Sequence, residues 1–428
     1  MSRPTFSLGI RYWPRRRRGA TGMLGTWSDA DHGALRAELS HIAELGFDTV
    51  CLELRWAEAQ PVARIDTAAL RGLERALDEA HDQGLRAVVT TLAASFGGAL
   101  HLPEWAVGYR LPGDLLRARR FGPPVPSAGD GYPLILAADR YRAEPARDLY
   151  GEPEILGAQR SLLREVVGNL AAHPAATAWL LGSDVERVRR AATNRAAANW
   201  WADLVGYARD LGARTLLGTI GAETLLRTNT LRPDQIVRQG AHVVVAAPPL
   251  PPLMPSRGSE VRMARLLHAL AVALIRGEAV QPHPVIVADL GIPTVAGAAQ
   301  GVVESQIFGR PLSLLLADEE TQATLVEQAL ATFQREGAAA LWLTRYADLA
   351  PEFWRLPPAD RSWWARTSGI VTADGREKPA AAAVRSFGAR LRAQQLPDPL
   401  GVPLLALDPE RYWRDPVASF RNLWMEWQ

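Results

Sequence analysis

Two acids stand where two apolar runs end. Residues 175–184, AATAWLLGSD, close on Asp184, and residues 284–291, PVIVADLG, place Asp289 before Leu290 and Gly291. If both runs are buried strands, each delivers a carboxylate to a carboxyl-terminal strand end. Two carboxylates flanking one cleft are the equipment of glycoside cleavage: one protonates the leaving oxygen while the other acts from the opposite side. Glu186, two residues past Asp184, is a further candidate acid whose plainer reading is a solvated loop charge. Ser95 has no evident His and Asp partners for serine-hydrolase chemistry, and no His-x-x-His or acidic cluster suggests a metal. We therefore expect neither a metal nor a cofactor.

The acids need a scaffold. Eight short apolar runs read as strands, at 7–13, 49–56, 86–93, 175–181, 214–220, 242–247, 284–289 and 339–346. Amphipathic segments between them read as helices, at 31–45, 68–83, 157–172, 195–211, 262–276 and 319–336, several stopping at a glycine (Gly46, Gly84, Gly212, Gly337). Eight alternating units with near-continuous apolar strands imply an α/β fold, a (β/α)8 TIM barrel. The alternative, an open doubly wound sheet, would lack its phosphate loop, since no G-x-G-x-x-G follows the first strand. We expect a single barrel domain over residues 1–395, a long Gly/Pro/Arg-rich loop at 97–156 after strand three, and a helical tail at 396–428 packed on the barrel. In the tail, Trp413, Phe420, Leu423 and Trp427 share the spacing of one helix face.

Bulk chemistry narrows the classes. In 428 residues, 48 basic side chains meet 46 acidic ones, a balance that argues against nucleic acid as a partner. Arg15 to Arg18 form a local basic run after the first strand, either a solvated loop or an anion or protein contact at the barrel mouth. The single cysteine, Cys51, excludes an internal disulfide framework. No apolar run of about 18 residues exists to span a membrane, and no signal-peptide pattern opens the chain, so the expected setting is cytoplasmic. Among fourteen tryptophans, Trp13, Trp56, Trp105 and Trp342 are the candidates to face a cleft, with core packing as the equal alternative. On strand two, alternation puts Cys51, Glu53 and Arg55 on one face; inside a barrel, Glu53 and Arg55 would have to pair.

Further motifs follow in a specific order: GIRYWP at 9–14, ELSHIAELGFDTVCLELRWAEAQP at 38–61, LPEW at 102–105, DLYGEP at 148–153, HPA at 173–175 and TSGIVTADGREKP at 367–379. In order and spacing the chain resembles the clan of retaining glycoside hydrolases with the eightfold barrel, most closely family five, the cellulase and β-mannanase group. The resemblance implies an acid/base glutamate after Asn at the end of strand four and a nucleophilic glutamate at the end of strand seven. Here those places hold Ser183-Asp184 and Asp289. The family's supporting arginine falls on Cys51, its strand-three histidine on Ser95, and its strand-six His and Tyr on Val245 and Ala247. Its strand-eight aromatic platform falls on Trp342.

Aspartates are shorter than glutamates by about 1.5 Å, so a retaining gap of about 5–5.5 Å would widen toward about 8 Å, the inverting range. The expected function is a family-five-type, catalytically degenerate protein, a pseudoenzyme acting as a carbohydrate-binding protein or scaffold. Its binding residues would be Trp13, Trp56, Ser95, Trp105, Ser183 and Trp342. The first alternative is an active, inverting β-glycosidase on glucan or mannan-type material using Asp184 and Asp289. The second is a non-sugar scaffold that binds a protein partner at the arginine-rich mouth.

Overall fold

The computed structural model describes residues 6–15, 27–62, 64–108, 134–248, 260–276, 284–295 and 301–427. Eight parallel strands close into a barrel: β1 (Ser7–Tyr12), β2 (Thr49–Arg55), β3 (Arg86–Ala93), β4 (Ala176–Leu181), β5 (Leu216–Gly221), β6 (His242–Ala246), β7 (Val285–Leu290) and β8 (Ala340–Leu343). Neighbours follow chain order, and β8 closes onto β1. Seen from the sequence, strand five begins two residues late and strand eight stops at Leu343, which leaves Thr344 and Arg345 free to form part of the mouth.

Alternation sorts the strand residues. Leu8, Ile10, Val50 and Leu52 face the surrounding helices, while Cys51, Val88, Ala178, Leu180, Leu217, Val244, Ala288, Ala340 and Trp342 fill the interior. Gly9 pairs with Trp342 across β1 and β8, and a Cβ on Gly9 would lie 2.3 Å from Trp342 Cδ1. The indole occupies the space that a side chain on residue 9 would need.

The expected helices are present as α1 (His32–Glu44), α2 (Thr67–Asp82), α3 (Pro153–Leu170), α4 (Asn194–Asp210), α6 (Glu260–Ile275) and α7 (Glu319–Arg335). Two more, α5 (Pro233–Arg238) and α8 (Pro379–Arg392), complete the ring. In α1, Asp31 accepts from the amides of Gly33 and Ala34, and Leu35, Leu39 and Ile42 are buried on one face. The helix stops at Gly46, whose φ of +100° suits a residue without a Cβ.

Strand ends turn through left-handed residues at the mouth: Leu92 (φ +53°), Gly182 (+65°), Asp184 (+60°) and Asp289 (+63°). Aspartate tolerates this region better than most residues, so both acids sit where the backbone changes direction.

Two additions cover the mouth. Part of the 97–156 segment forms a small sheet with Ser95–Phe96, Ala99–His101, Ile135–Ala137 and Arg140–Arg142 in that order. After β7 a hairpin, Gly301–Ile307 with Arg310–Leu316, leans on it through Phe308 N–H donating to the Gly98 carbonyl at 2.5 Å. The tail forms two helices, Pro409–Arg414 and Pro416–Glu426, because Asp415 breaks the run and caps the second through Ala418 N–H. Tyr412, Trp413, Phe420 and Trp427 are buried, and the Tyr412 hydroxyl donates to the Leu225 carbonyl at 2.8 Å. Among the described residues, no helix is long and apolar enough to cross a membrane.

Candidate functional site

The mouth holds a buried network of charge. Arg11, facing inward from β1, pairs with both Glu53 on β2 and Asp289 at the end of β7. Its Nη2 donates to Asp289 Oδ2 at 3.1 Å, while Nε faces Oδ1 and Nη1 faces Glu53 Oε1. Arg11, Glu53 and Asp289 are all nearly closed to solvent, so each charge depends on the others. Burial opposes the charge on Arg11, but Asp289 and Glu53 outweigh it and hold the guanidinium above its ordinary pKa. Burial pushes both carboxyls up against the pull of Arg11, and both end above their ordinary values.

Asp184 is held separately. Its Oδ1 accepts from Arg187 Nε at 2.7 Å, and its Oδ2 accepts from the Ser95 hydroxyl. Arg187 also reaches Glu223 at 3.2 Å and lies over the Phe308 ring of the hairpin at 4.0 Å. Every carboxylate oxygen of Asp184 and Asp289 thus faces a donor or a cation. Glu186 is half-buried and accepts from the Thr224 hydroxyl at 3.3 Å, away from the cavity lining. Burial, then the nearby Asp184, push its carboxyl up to about 7.

A cavity joins Asp184 to Asp289. Its lining includes Arg11, Trp13, Glu53, Ser95, Phe96, Phe308, Thr344, Arg345 and Trp364. The space is about 320 Å3, the part open to solvent included. Arg345, 2% exposed, has its guanidinium 4.0 Å from the Trp13 ring and 5.5 Å from that of Trp364.

The expected site residues divide. Asp184, Asp289, Ser95 and Trp13 meet at the cavity. Ser183 is buried behind it, its carbonyl accepting from Ala94 N–H at 2.9 Å. Trp56 is fully buried and donates to Gln60 Oε1 at 2.9 Å, while Trp105 stands edge-on to it and donates to the Gln60 carbonyl at 3.0 Å. Both brace a turn outside the cavity. Trp342 lies in the barrel interior below it. Val245 and Ala247 belong to the core facing the helices.

Glu53 and Arg55 do not pair with each other. An irregularity in register between them breaks the alternation, so Arg55 leaves the interior to meet Glu58 at 3.1 Å and stack on Phe96 at 4.3 Å. Arg15 pairs with Glu38 at 2.9 Å, and the rest of the arginine run, 16–18, lies outside the described residues.

Arg11, Trp364, Arg345 and Phe308 escaped the sequence argument. Arg11 had a signal: in GIRYWP it shares the inward face with Gly9. The register pairs Arg11 with Cys51, so a guanidinium enters from the strand beside the position where the resemblance places one.

No family model matches the sequence, and no curated protein matches it. Solved structures do. GH5_18 from Streptomyces cattleya in complex with GlcNAc is 21% identical over 93% of this chain and 83% of its own, with a TM-score of 0.66. A variant of the same protein in complex with Manb1-4GlcNAc is 20% identical over 92% and 83%, with a TM-score of 0.67. An exo-beta-1,4-mannosidase from Opitutaceae bacterium strain TAV5 is 18% identical over 92% and 61%, with a TM-score of 0.64. At these identities the likeness concerns architecture: the chain has the (β/α)8 barrel fold of the GH5-type glycoside hydrolases.

Proposed function

We propose that the chain is a non-hydrolytic relative of these barrels that binds a saccharide at its mouth. The observation that carries this reading is the state of Asp184. The acid/base place in a glycosidase needs a carboxyl that keeps and then gives a proton. Asp184 instead accepts from Arg187 and Ser95, so both of its oxygens are already engaged. The shorter side chain at both acid positions adds distance in the same direction. Barrels of the same fold hold GlcNAc and Manb1-4GlcNAc, which supports a saccharide as the ligand.

The test is turnover of an aryl-β-glycoside and oligosaccharide panel, with the Asp184→Asn/Asp289→Asn variant as control, alongside calorimetric binding of glycans that include Manβ1-4GlcNAc. We expect no turnover above the control and measurable binding of a glycan. Turnover abolished in the control would overturn the proposal.

One observation favours the alternative of an active glycosidase. Arg11 gives Asp289 the cationic support that a working carboxylate needs. In that case Asp184 would protonate the leaving oxygen, Asp289 would activate water, and the first product would have inverted configuration. The scaffold reading loses ground at Arg15, whose charge is already matched by Glu38.

A further inference from the structure

Around the cavity, acids and arginines meet in direct ion pairs, and Arg345 is the arginine outside them. Arg11 answers Glu53 and Asp289, and Arg187 answers Asp184 and Glu223. Arg345 lines the same cavity, is 2% exposed, and meets no carboxylate within ion-pair distance among the described residues. Among the described residues, its side chain's one hydrogen bond runs from Nη1 to the Ala365 carbonyl, and its Nε is buried without a partner. The nearest acid on its own segment, Asp348, is engaged by Lys378 at 2.8 Å. Burial pulls the Arg345 pKa down to about 9, a guanidinium stabilised less than its surroundings could allow.

An unanswered buried cation with a free N–H is costly unless something fills the place. A carboxylate is the natural complement, since its two oxygens match the planar fork of a guanidinium. The cavity that Arg345 lines is about 320 Å3 with its open part included, room for a carboxylate and part of its carrier. The three acids of the cavity, Glu53, Asp184 and Asp289, share two arginines, Arg11 and Arg187, so an incoming carboxylate depends on the third cation, Arg345.

Building on the saccharide-binding reading, we propose that the ligand is an acidic sugar of the uronate type. Its carboxylate meets Arg345 in the cavity, and its ring lies outward of it, beside Phe308 of the hairpin.

The test compares methyl β-D-glucuronide, methyl β-D-glucoside and acetate by calorimetry on the full chain. Wild type is expected to prefer the glucuronide over the glucoside by about tenfold or more, with acetate weaker than the glucuronide. The preference should shrink with added salt and quench tryptophan emission, since Arg345 stacks on Trp13. Arg345→Met should bring the two glycosides level, while Arg345→Lys should keep part of the difference. The wild-type comparison and its salt dependence need no variant to fold. Glucoside bound as tightly as glucuronide would overturn the acidic-sugar inference and leave saccharide binding standing. Acetate equal to the glucuronide would overturn the sugar part of both. No binding of the glucuronide, with neutral glycans bound, would overturn the inference alone.

Discussion

Arg11→Met is the sharpest perturbation of the site. The methionine keeps most of the volume, but it leaves Glu53 and Asp289 facing each other, both nearly closed to solvent. Removing one member of a buried ion pair costs about 3–5 kcal/mol, and Arg11 serves two partners, which puts the expected loss at the upper end. The loss must depend on pH. Without Arg11 both carboxyls rise further above their ordinary values near 4, and each pKa unit between the folded and unfolded states is about 1.4 kcal/mol. A carboxyl whose folded pKa is raised favours the fold below the unfolded value, and that contribution disappears as pH rises through the folded value. The variant should therefore be nearest to wild type in acid and furthest from it at neutral and alkaline pH.

Urea unfolding at pH 5 and pH 8 measures this, with Arg11→Met/Glu53→Gln/Asp289→Asn as the companion. The companion carries no stranded charge and should recover most of the stability lost at pH 8. A single variant within about 1 kcal/mol of wild type at pH 8 would refute the argument. So would a triple variant no more stable than the single one.

Other consequences follow the same logic. Glu186, raised to about 7, ionises in the fold above its unfolded value, so wild type should lose stability as pH climbs through 7. Glu186→Gln should remove that slope in thermal scans from pH 4.5 to 8.5, gaining about 1–2 kcal/mol at the alkaline end once its half-exposure is discounted. Gly9→Ala drives a Cβ to 2.3 Å from Trp342 Cδ1 and should cost about 1–3 kcal/mol, much of it returned by adding Trp342→Leu, read as paired melting temperatures. Tyr412→Phe takes the donor from the buried Leu225 carbonyl and should lower stability by about 1 kcal/mol in denaturant unfolding.

The barrel was legible because its signals are local and repeated. Apolar strands, amphipathic helices and glycine stops each depend on a few neighbouring residues, and Asp31, Gly46 and Leu35 act in the structure as their positions suggest. Both acids were legible because a polar residue at the end of an apolar strand has few places to go. Their partners were not. Arg11 lies 278 residues from Asp289, and only barrel closure brings the strands to one mouth. The indoles misled for a different reason. Indole area is as useful in a core as on a sugar, and Trp56 and Trp342 went inside, one onto Gln60 and the other against Gly9. The bulge that parts Glu53 from Arg55 has no marker in TVCLELR, so simple alternation gave a pairing that the strand does not make.

The arrangement also says what would be needed to turn this mouth into a catalyst. Buried ion pairs give little net stability compared with apolar groups of the same shape, so the Arg11 and Arg187 clusters are better understood as fixing side chains in place than as strengthening the barrel. Fixed groups suit recognition, but an acid catalyst must hold a proton and release it. Lengthening the acid alone, Asp184→Glu, would leave the new carboxylate beside Arg187 and still engaged by it. Asp184→Glu should therefore release no aryl leaving group above the Asp184→Asn/Asp289→Asn control. Adding Arg187→Met frees the carboxyl from that contact, so the double variant is where weak hydrolysis is expected first. Equal hydrolysis by Asp184→Glu with Arg187 intact would show that side-chain length, and not the ion pair with Arg187, is what silences the acid.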